Sequence, residues 1–349
     1  MARIVVAGAG VVGASIAYNL ALRGADDVVL ADAGGVAGGA TGKAMGGVRQ
    51  QFTTAAEVAL ARASVRFFES LGERLFEQVG YLVLATTAEG AAELEERLRV
   101  QRELGVPVEE VDPSFVPGLR VDDVRTAVFC AQDGVADPTA ITRELVRRAA
   151  DLGVDVREGT RAEELERDVL VLACGAQSAE VAAAVGVELP IRPLVRQLLA
   201  TGELAAPQRL PMTVEAESGF HFRRRGERFV LAMADAEPRW GWDEAVDASV
   251  FGDRLARLAH RFPPAAGVRI EEAWAGLYDM TPDAHPIVGP VADGVYAACG
   301  FSGHGFMQAP AVGEAVAEEL LEGGSSLDLS PYRLERFAHG APFPETLVL

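Results

Sequence analysis

The chain has 349 residues, of which 49% are hydrophobic and 24% charged, and it carries a formal net charge of −19. That length and balance exclude wholesale disorder and point to two interleaved domains sharing a large interface. The acidic excess excludes nucleic acid and anionic lipid surfaces as partners, because no basic patch is present to release counterions. In chain order, residues 3–7 (RIVVA) form a short apolar run of the kind that makes a buried parallel strand, residues 11–23 a helix, and residues 27–32 a second strand ending in a carboxylate. Strand, helix and strand within about 30 residues make a right-handed βαβ unit. Residues 34–47 are too glycine-rich for regular structure, and a helical pattern follows over 54–71.

The middle of the chain changes character. Residues 81–87 and 128–131 read as strands, and 89–104 as a charged helix. Asp137 and Pro138 make a good helix start, Asp as N-cap and Pro at the first helical position, for a helix running to Leu152. Residues 168–173 form another fully apolar strand. From 191 to 234 the pattern is antiparallel, with strands over 196–201, 211–215, 220–225 and 228–234, the last two a hairpin about Gly226. A helix over 243–262, a strand over 295–298 and a helix over 306–321 complete the list, and the tail after Gly323 reads as a surface loop. The fold class is therefore α/β: a nucleotide-binding domain with a parallel sheet (1–80, 132–190 and 270–330) and an inserted α+β domain with a mainly antiparallel sheet (81–131 and 191–269).

Three cysteines, Cys130, Cys174 and Cys299, lie far apart with no CxxC or Cys/His cluster. Neither a metal site nor a disulfide framework is expected, and a reducing, cytoplasmic compartment fits best. The apolar N-terminal stretch is interrupted by Gly8, Gly10 and Gly13, which favours a strand, turn and helix over an export signal. No uninterrupted run of about 18 apolar residues occurs elsewhere, so no membrane span is expected.

Gly8-Ala9-Gly10-Val11-Val12-Gly13 is a GxGxxG that follows a strand and opens a helix. Asp32, nineteen residues after Gly13, closes the next strand. This is the Rossmann-like fingerprint: the glycines let backbone approach a pyrophosphate at the helix N-terminus, and the acid binds ribose hydroxyls. By itself the motif leaves FAD and NAD both open.

The segment from Gly38 through Ala40, Thr41, Lys43, Gly46 and Gly47 to Phe52 carries the string GGVRQQF. With Gly276 to Asp283 (GLYDMTPD), His285 to Gly289 (HPIVG) and Gly300 to Met307 (GFSGHGFM), it resembles the D-amino-acid oxidase superfamily of FAD enzymes. Glycine oxidase, sarcosine oxidases, dimethylglycine dehydrogenase and D-amino-acid dehydrogenase belong to that superfamily, and the GGVRQQF string is most similar to the sarcosine oxidase β-subunit branch. The resemblance spans nearly the whole chain. It implies FAD, with Ala33 beside the ribose acid and Thr41 and Lys43 at the diphosphate or ring edge. It places Val156, Cys174 and Gly175 about the adenine. Gly276, Gly300, Phe301, Gly303, His304, Gly305, Phe306 and Met307 would lie at the flavin, where a helix N-terminus stabilises the negative charge of the reduced ring.

The activity implied is oxidation of the C–N bond of a small amine or a secondary or N-methyl amino acid. A carboxylated substrate calls for an arginine in bidentate geometry. Arg49 is the first candidate and Arg223 the second, with a solvated surface charge the alternative for each. His221 shares a strand face with Arg223, and His221 and Tyr278 are candidate pocket walls, with a structural hydrogen bond as the alternative; His304 completes the catalytic set.

Departures from the family narrow the subtype. Gly276 stands where monomeric sarcosine oxidases have their FAD-tethering cysteine, so FAD should be non-covalent. Met307 replaces a lysine, and Arg192-Pro193-Leu194 replaces the His-Pro-Leu that holds a second flavin. Lys43 is the single lysine, which favours a dehydrogenase over a fast oxidase. Two other readings stay open: an FAD-dependent 2-hydroxy-acid dehydrogenase with His304 or His221 as base, and a flavin-holding assembly factor or subunit of a heteromeric complex. Homo-oligomerisation stays open with them.

Overall fold

The computed structural model describes residues 2–338 and 340. Ile4–Ala7, apolar on both faces and fully buried, lies in the middle of a six-stranded sheet. The strand order is Ile287–Ala292, Val295–Cys299, Val169–Leu172, Ile4–Ala7, Val28–Asp32 and Asp155–Glu158. All neighbours are parallel except the first pair. The first helix, Val11–Leu22, covers one face together with Pro138–Asp151 and the last helix, Gly305–Glu322. Asp137 caps its helix as read from sequence, its side chain accepting from the Thr139 and Ala140 amides. The opposite face packs against the helix Ser178–Ala184 and against Leu334 and Phe337.

The second layer is an eight-stranded sheet ordered Ile270–Met280, Arg192–Thr201, Arg228–Ala232, His221–Arg225, Met212–Glu215, Tyr81–Ala85, Thr126–Cys130 and Val108–Glu110. It is antiparallel apart from the parallel pair Met212–Glu215 and Tyr81–Ala85. Because side chains alternate along strands, the register decides what shares a face. Tyr81 pairs with Met212, Val214 with His221, Arg223 with Val230, Val230 with Ala200, and Arg196 with Gly276. Tyr81, His221, Arg223, Arg196 and Tyr278 therefore point from one face. The other face is apolar, with Phe220, Phe222, Phe229 and Phe262 packed on the helix Phe251–Arg261.

Several expectations are corrected. The helix expected over 243–262 starts only at Phe251, after a single 3-10 turn at Ala248–Val250. The Asp247 carboxylate accepts from the Ser249 amide and ends the preceding loop there. The glycine-rich stretch contains a short helix, Ala40–Lys43. Ile270–Met280, grouped by sequence with the nucleotide-binding segments, hydrogen-bonds in the eight-stranded sheet. A small third sheet of Gly47–Val48, Gly134–Ala136 and Phe76–Glu77, not read from the sequence, joins the two layers. The tail is no surface loop as far as residue 338: it turns at Ser330–Tyr332 and Leu334–Arg336, and Arg336 buries an ion pair with Asp283 at 2.8 Å. Residues 341–349 of that tail lie outside the described residues. Among the described residues no helix is long and apolar enough to cross a membrane.

The first and last helices touch at Ser15 and Gly313, where a methyl group added to Gly313 would sit 2.2 Å from Ser15 Oγ and 2.7 Å from its carbonyl carbon. Gly313→Ala is expected to cost about 1–3 kcal/mol through this overpacking, read as a lowered melting temperature. Gly252→Ala, in a helix with open space around it, should be neutral or slightly stabilising.

Candidate functional site

One cleft of about 630 Å³ runs between the two layers, a size in the range of small-molecule sites. At one end lies the Gly8–Gly13 turn. Gly8 adopts φ +101°, and a Cβ there would meet the Ala173 carbonyl oxygen at 2.4 Å, so only glycine lets the two backbones close on each other. The first helix starts after Gly10, which supplies no side-chain cap, so its positive end and the N–H groups following Val11 are directed at the cleft. Thr41 Oγ1 accepts from the Val11 amide at 3.1 Å. The two oxygens of Asp32 accept from the Ala9 amide at 2.7 Å and the Gly34 amide at 2.8 Å, which fixes the carboxylate while lone pairs remain for hydroxyl groups. Ala33, Ala40, Lys43, Gly46, Gly47, Cys174 and Gly175 line the cleft, as do Gly8, Gly10, Val11 and Val12; Gly47 lies against Tyr81 and Lys43 against Gly276.

At the other end the last helix opens. His304 is its N-cap residue without a side-chain cap bond. Gly303 adopts φ +96°, and a Cβ there would collide with the Tyr278 ring at 2.4 Å. Asp279 anchors this loop by accepting from the Gly300 amide at 2.7 Å, and burial pushes its carboxyl pKa up. Gly276, Tyr278, Phe301, Gly303, His304, Gly305, Phe306 and Met307 all line the cleft. The cradle of glycines, the fixed carboxylate and two uncapped helix starts suit an extended anionic dinucleotide carrying a flat ring system.

The sequence-read residues divide. Arg49, His221, Tyr278 and His304 meet in the cleft. Arg49 is 2% exposed and held on three sides: Nη1 donates to the Gln51 carbonyl, Nη2 lies 3.3 Å from His304 Nε2, and the guanidinium lies 4.1 Å from the Phe52 ring centroid. An arginine can only donate, so His304 Nε2 accepts and its ring proton sits on Nδ1. Arg223 is buried on the right sheet face but does not line the cleft, and burial lowers its pKa to about 10. Val156 packs on the main core, Gly13 lies under the Gly8 carbonyl, and Gly300 packs against Thr281. These three contribute shape rather than cleft surface.

The His221 Nδ1 atom lies 2.8 Å from the Gly219 carbonyl, so it carries the proton and Nε2 keeps the lone pair. Burial holds this imidazole down at about 4; the Gly219 bond opposes that, and the Arg49 charge adds to it. Sequence reading missed Tyr81, Arg196 and Asp133. Tyr81 and Arg196 line the cleft. Burial drives the Tyr81 phenol well above its ordinary range. Asp133 lies beneath, accepting from the Gln50 amide at 2.9 Å and from Gln51 Nε2 at 3.0 Å, and burial raises its carboxyl pKa to about 6. Arg196 carried a signal, a charge between Leu194 and Leu198 on an apolar strand face; Asp133, in a turn, carried none.

Residues 3–319 match the DAO family, described as FAD dependent oxidoreductase. The bovine (Bos taurus) FAD-dependent oxidoreductase domain-containing protein 1 is 31% identical, covering 99% of this chain and 87% of that protein. Glycine oxidase of Geobacillus kaustophilus (strain HTA426) is 26% identical, covering 95% and 96%. The crystal structure of L-proline dehydrogenase from P. horikoshii superposes with a TM-score of 0.90 at 28% identity, covering 97% of this chain and 98% of that one.

Asp133 and His221 act oppositely on stability in one pH window. The raised Asp133 pKa keeps its proton in the fold, so its contribution falls as pH rises from about 4 to about 6. The lowered His221 pKa excludes a proton, so its contribution rises from about 4 to about 6.5. Each is worth at most about 3–3.5 kcal/mol at about 1.4 per pKa unit. In urea unfolding between pH 4 and 7, Asp133→Asn should make stability rise more steeply with pH than in the parent, and His221→Asn should make it rise less steeply or fall. Superimposable profiles for both variants and the parent would refute both assignments.

Proposed function

The chain belongs to the DAO family of FAD-dependent oxidoreductases, and from that premise we propose that it oxidises the C–N bond of a small secondary or N-methyl amino acid. The observation that carries this reading is the cleft with a helix N-terminus at each end, one beside Asp32 and one facing the arginine-bearing sheet. Relatives named glycine oxidase, sarcosine dehydrogenase and L-proline dehydrogenase share the chemical class. When bound, the flavin supplies the acceptor for a hydride from the carbon beside the amine nitrogen.

The chain's own residues set the conditions. The Gly8–Gly13 turn and Asp32 hold the diphosphate and ribose, and the amides from Gly305 onward stabilise the electron-rich edge of the ring. His221, neutral at working pH, presents Nε2 as an acceptor for a substrate N–H. A base for removing a hydroxyl proton works best with a pKa near the working pH; at about 4 His221 is not one, and the His304 Nε2 lone pair is taken by Arg49, which favours an amine that enters deprotonated over a 2-hydroxy acid.

Two finer features follow. Cys174 and Cys299 both line the cleft, and burial pushes both thiols up, Cys174 to about 12, away from the reactive thiolate. With Gly276 in the strand near the ring, FAD is held non-covalently. Lys43, the single lysine, pairs with Glu244, and Met307 follows the GHGF element, so oxygen activation by an ammonium group has no provider and turnover passes electrons to another acceptor.

Anaerobic titration of the flavin absorbance with glycine, sarcosine, proline, D-amino acids and 2-hydroxyglutarate tests the reading. Bleaching by a secondary amino acid is expected. Bleaching by 2-hydroxyglutarate alone would transfer the function to hydroxy acids, and none at all would favour a flavin-holding role. In the same preparations, acid precipitation should leave the yellow colour in the supernatant, and air should yield peroxide slowly compared with an artificial electron acceptor.

A further inference from the structure

Among the described residues three arginines line the cleft, Arg49, Arg161 and Arg196; Arg161 pairs with Glu163, and Arg196 is the one whose buried donors are left unmet. Arg49 is fixed by the Gln51 carbonyl, His304 and Phe52. Arg223 stays behind the surface, its charge against Tyr81. Arg196 lines the cleft, yet its Nε and Nη1 atoms are buried with no hydrogen-bond partner. Its guanidinium lies 5.6 Å from the centroid of the Tyr278 ring, and Tyr278 in turn abuts Gly303 at the start of the last helix. Arg196 pairs across the strands with Gly276, diagonal to Tyr278. Its strand is packed between two neighbours, so the backbone cannot withdraw the side chain from this position.

Buried guanidinium donors left without acceptors are costly, and a protein keeps them where a ligand supplies the acceptors. The donor set defines that ligand. Nε and one Nη of an arginine form a planar fork that matches the two oxygens of a carboxylate. A phosphate would satisfy the same fork, but the glycine turn and uncapped helix start that suit the diphosphate lie at the other end of the cleft.

We propose that Arg196 is the anchor for the substrate's carboxylate, and that it restricts the enzyme to amines that carry one. This rests on the amine-oxidation reading for the identity of the reacting group, but not for the anion site itself. Arg49 then serves to position His304 and the cleft wall rather than to grip substrate.

The test uses the FAD-loaded protein and cyclopentanecarboxylate, which has the shape of proline but no oxidisable amine, with cyclopentanecarboxamide as its neutral counterpart. Binding is read from perturbation of the flavin absorbance. Arg196→Met should weaken cyclopentanecarboxylate roughly 10- to 150-fold, the range for a charge-assisted bond, and change cyclopentanecarboxamide less than about threefold. Arg196→Lys should recover part of the loss, with flavin content and far-UV circular dichroism unchanged in both variants. Under anaerobic conditions the preference for proline over pyrrolidine as reductant should collapse in Arg196→Met.

Unchanged carboxylate binding in Arg196→Met overturns the proposal, and so does loss of FAD from that variant, which would make Arg196 a cofactor ligand. If no amine reduces the parent flavin but cyclopentanecarboxylate still binds in an Arg196-dependent way, the amine reading fails and the carboxylate site stands. If proline and pyrrolidine reduce the parent and Arg196→Met flavins with the same preference, the carboxylate site alone fails.

Discussion

The site depends on two helices from opposite ends of the chain lying side by side with their starts at one cleft. Val11–Leu22 and Gly305–Glu322 pack so tightly at Ser15 and Gly313 that no side chain fits between them. Each start adds roughly half a positive charge from its aligned peptides, a combination that repels itself until an anion lies between. At the far end Arg23, just beyond the first helix, reaches Glu314, Glu318 and Glu322 of the last one. These partly exposed pairs are individually weak. Their geometry nevertheless opposes sliding of one helix along the other.

A second constraint holds the last helix from beneath. Glu57, on the helix Ala55–Ser70, is fully buried and bonds His285 at 2.8 Å and Gln308 of the last helix. Two residues before His285, Asp283 takes Arg336 from the tail through both its oxygens, at 2.8 and 3.0 Å, and Arg336 also donates to the His285 carbonyl. Thr281 Oγ1 donates to that same carbonyl at 2.7 Å. The TPD segment is therefore a clamp that joins a helix, the tail and the loop entering the last helix. Burying so many charges is tolerable because each is met by a partner.

What could be read from the sequence followed from local rules. The glycine turn, Asp32 and the GHGF helix start were legible because each function is performed by backbone within a few residues. His221 and Arg223 were correctly assigned to one strand face by alternation alone. What escaped depends on register or on distant partners. Ile270–Met280 begins with the charged Glu271 and Glu272 and was masked as a strand. The helix expected from 243 is stopped by Asp247, a capping preference that a helical pattern overrides in a one-dimensional reading. Arg196 gained its significance only when cross-strand pairing put it beside Tyr278 and showed Arg49 to be occupied. Val156 and Gly300 matched family positions but turned out to shape the walls from behind.

The pairing of Ser15 with Gly313 also bears on how the protein is made. A ribosome delivers the first βαβ unit early, and its strands can pair at once. The strand Val295–Cys299 and the helix that completes the cleft emerge only after nearly all the rest of the chain. Contacts so distant in sequence form slowly, and until they form the apolar flank of the first helix has no cover. Until Gly305–Glu322 is made and docks, the flank of Val11–Leu22 that it covers stays exposed and prone to aggregation.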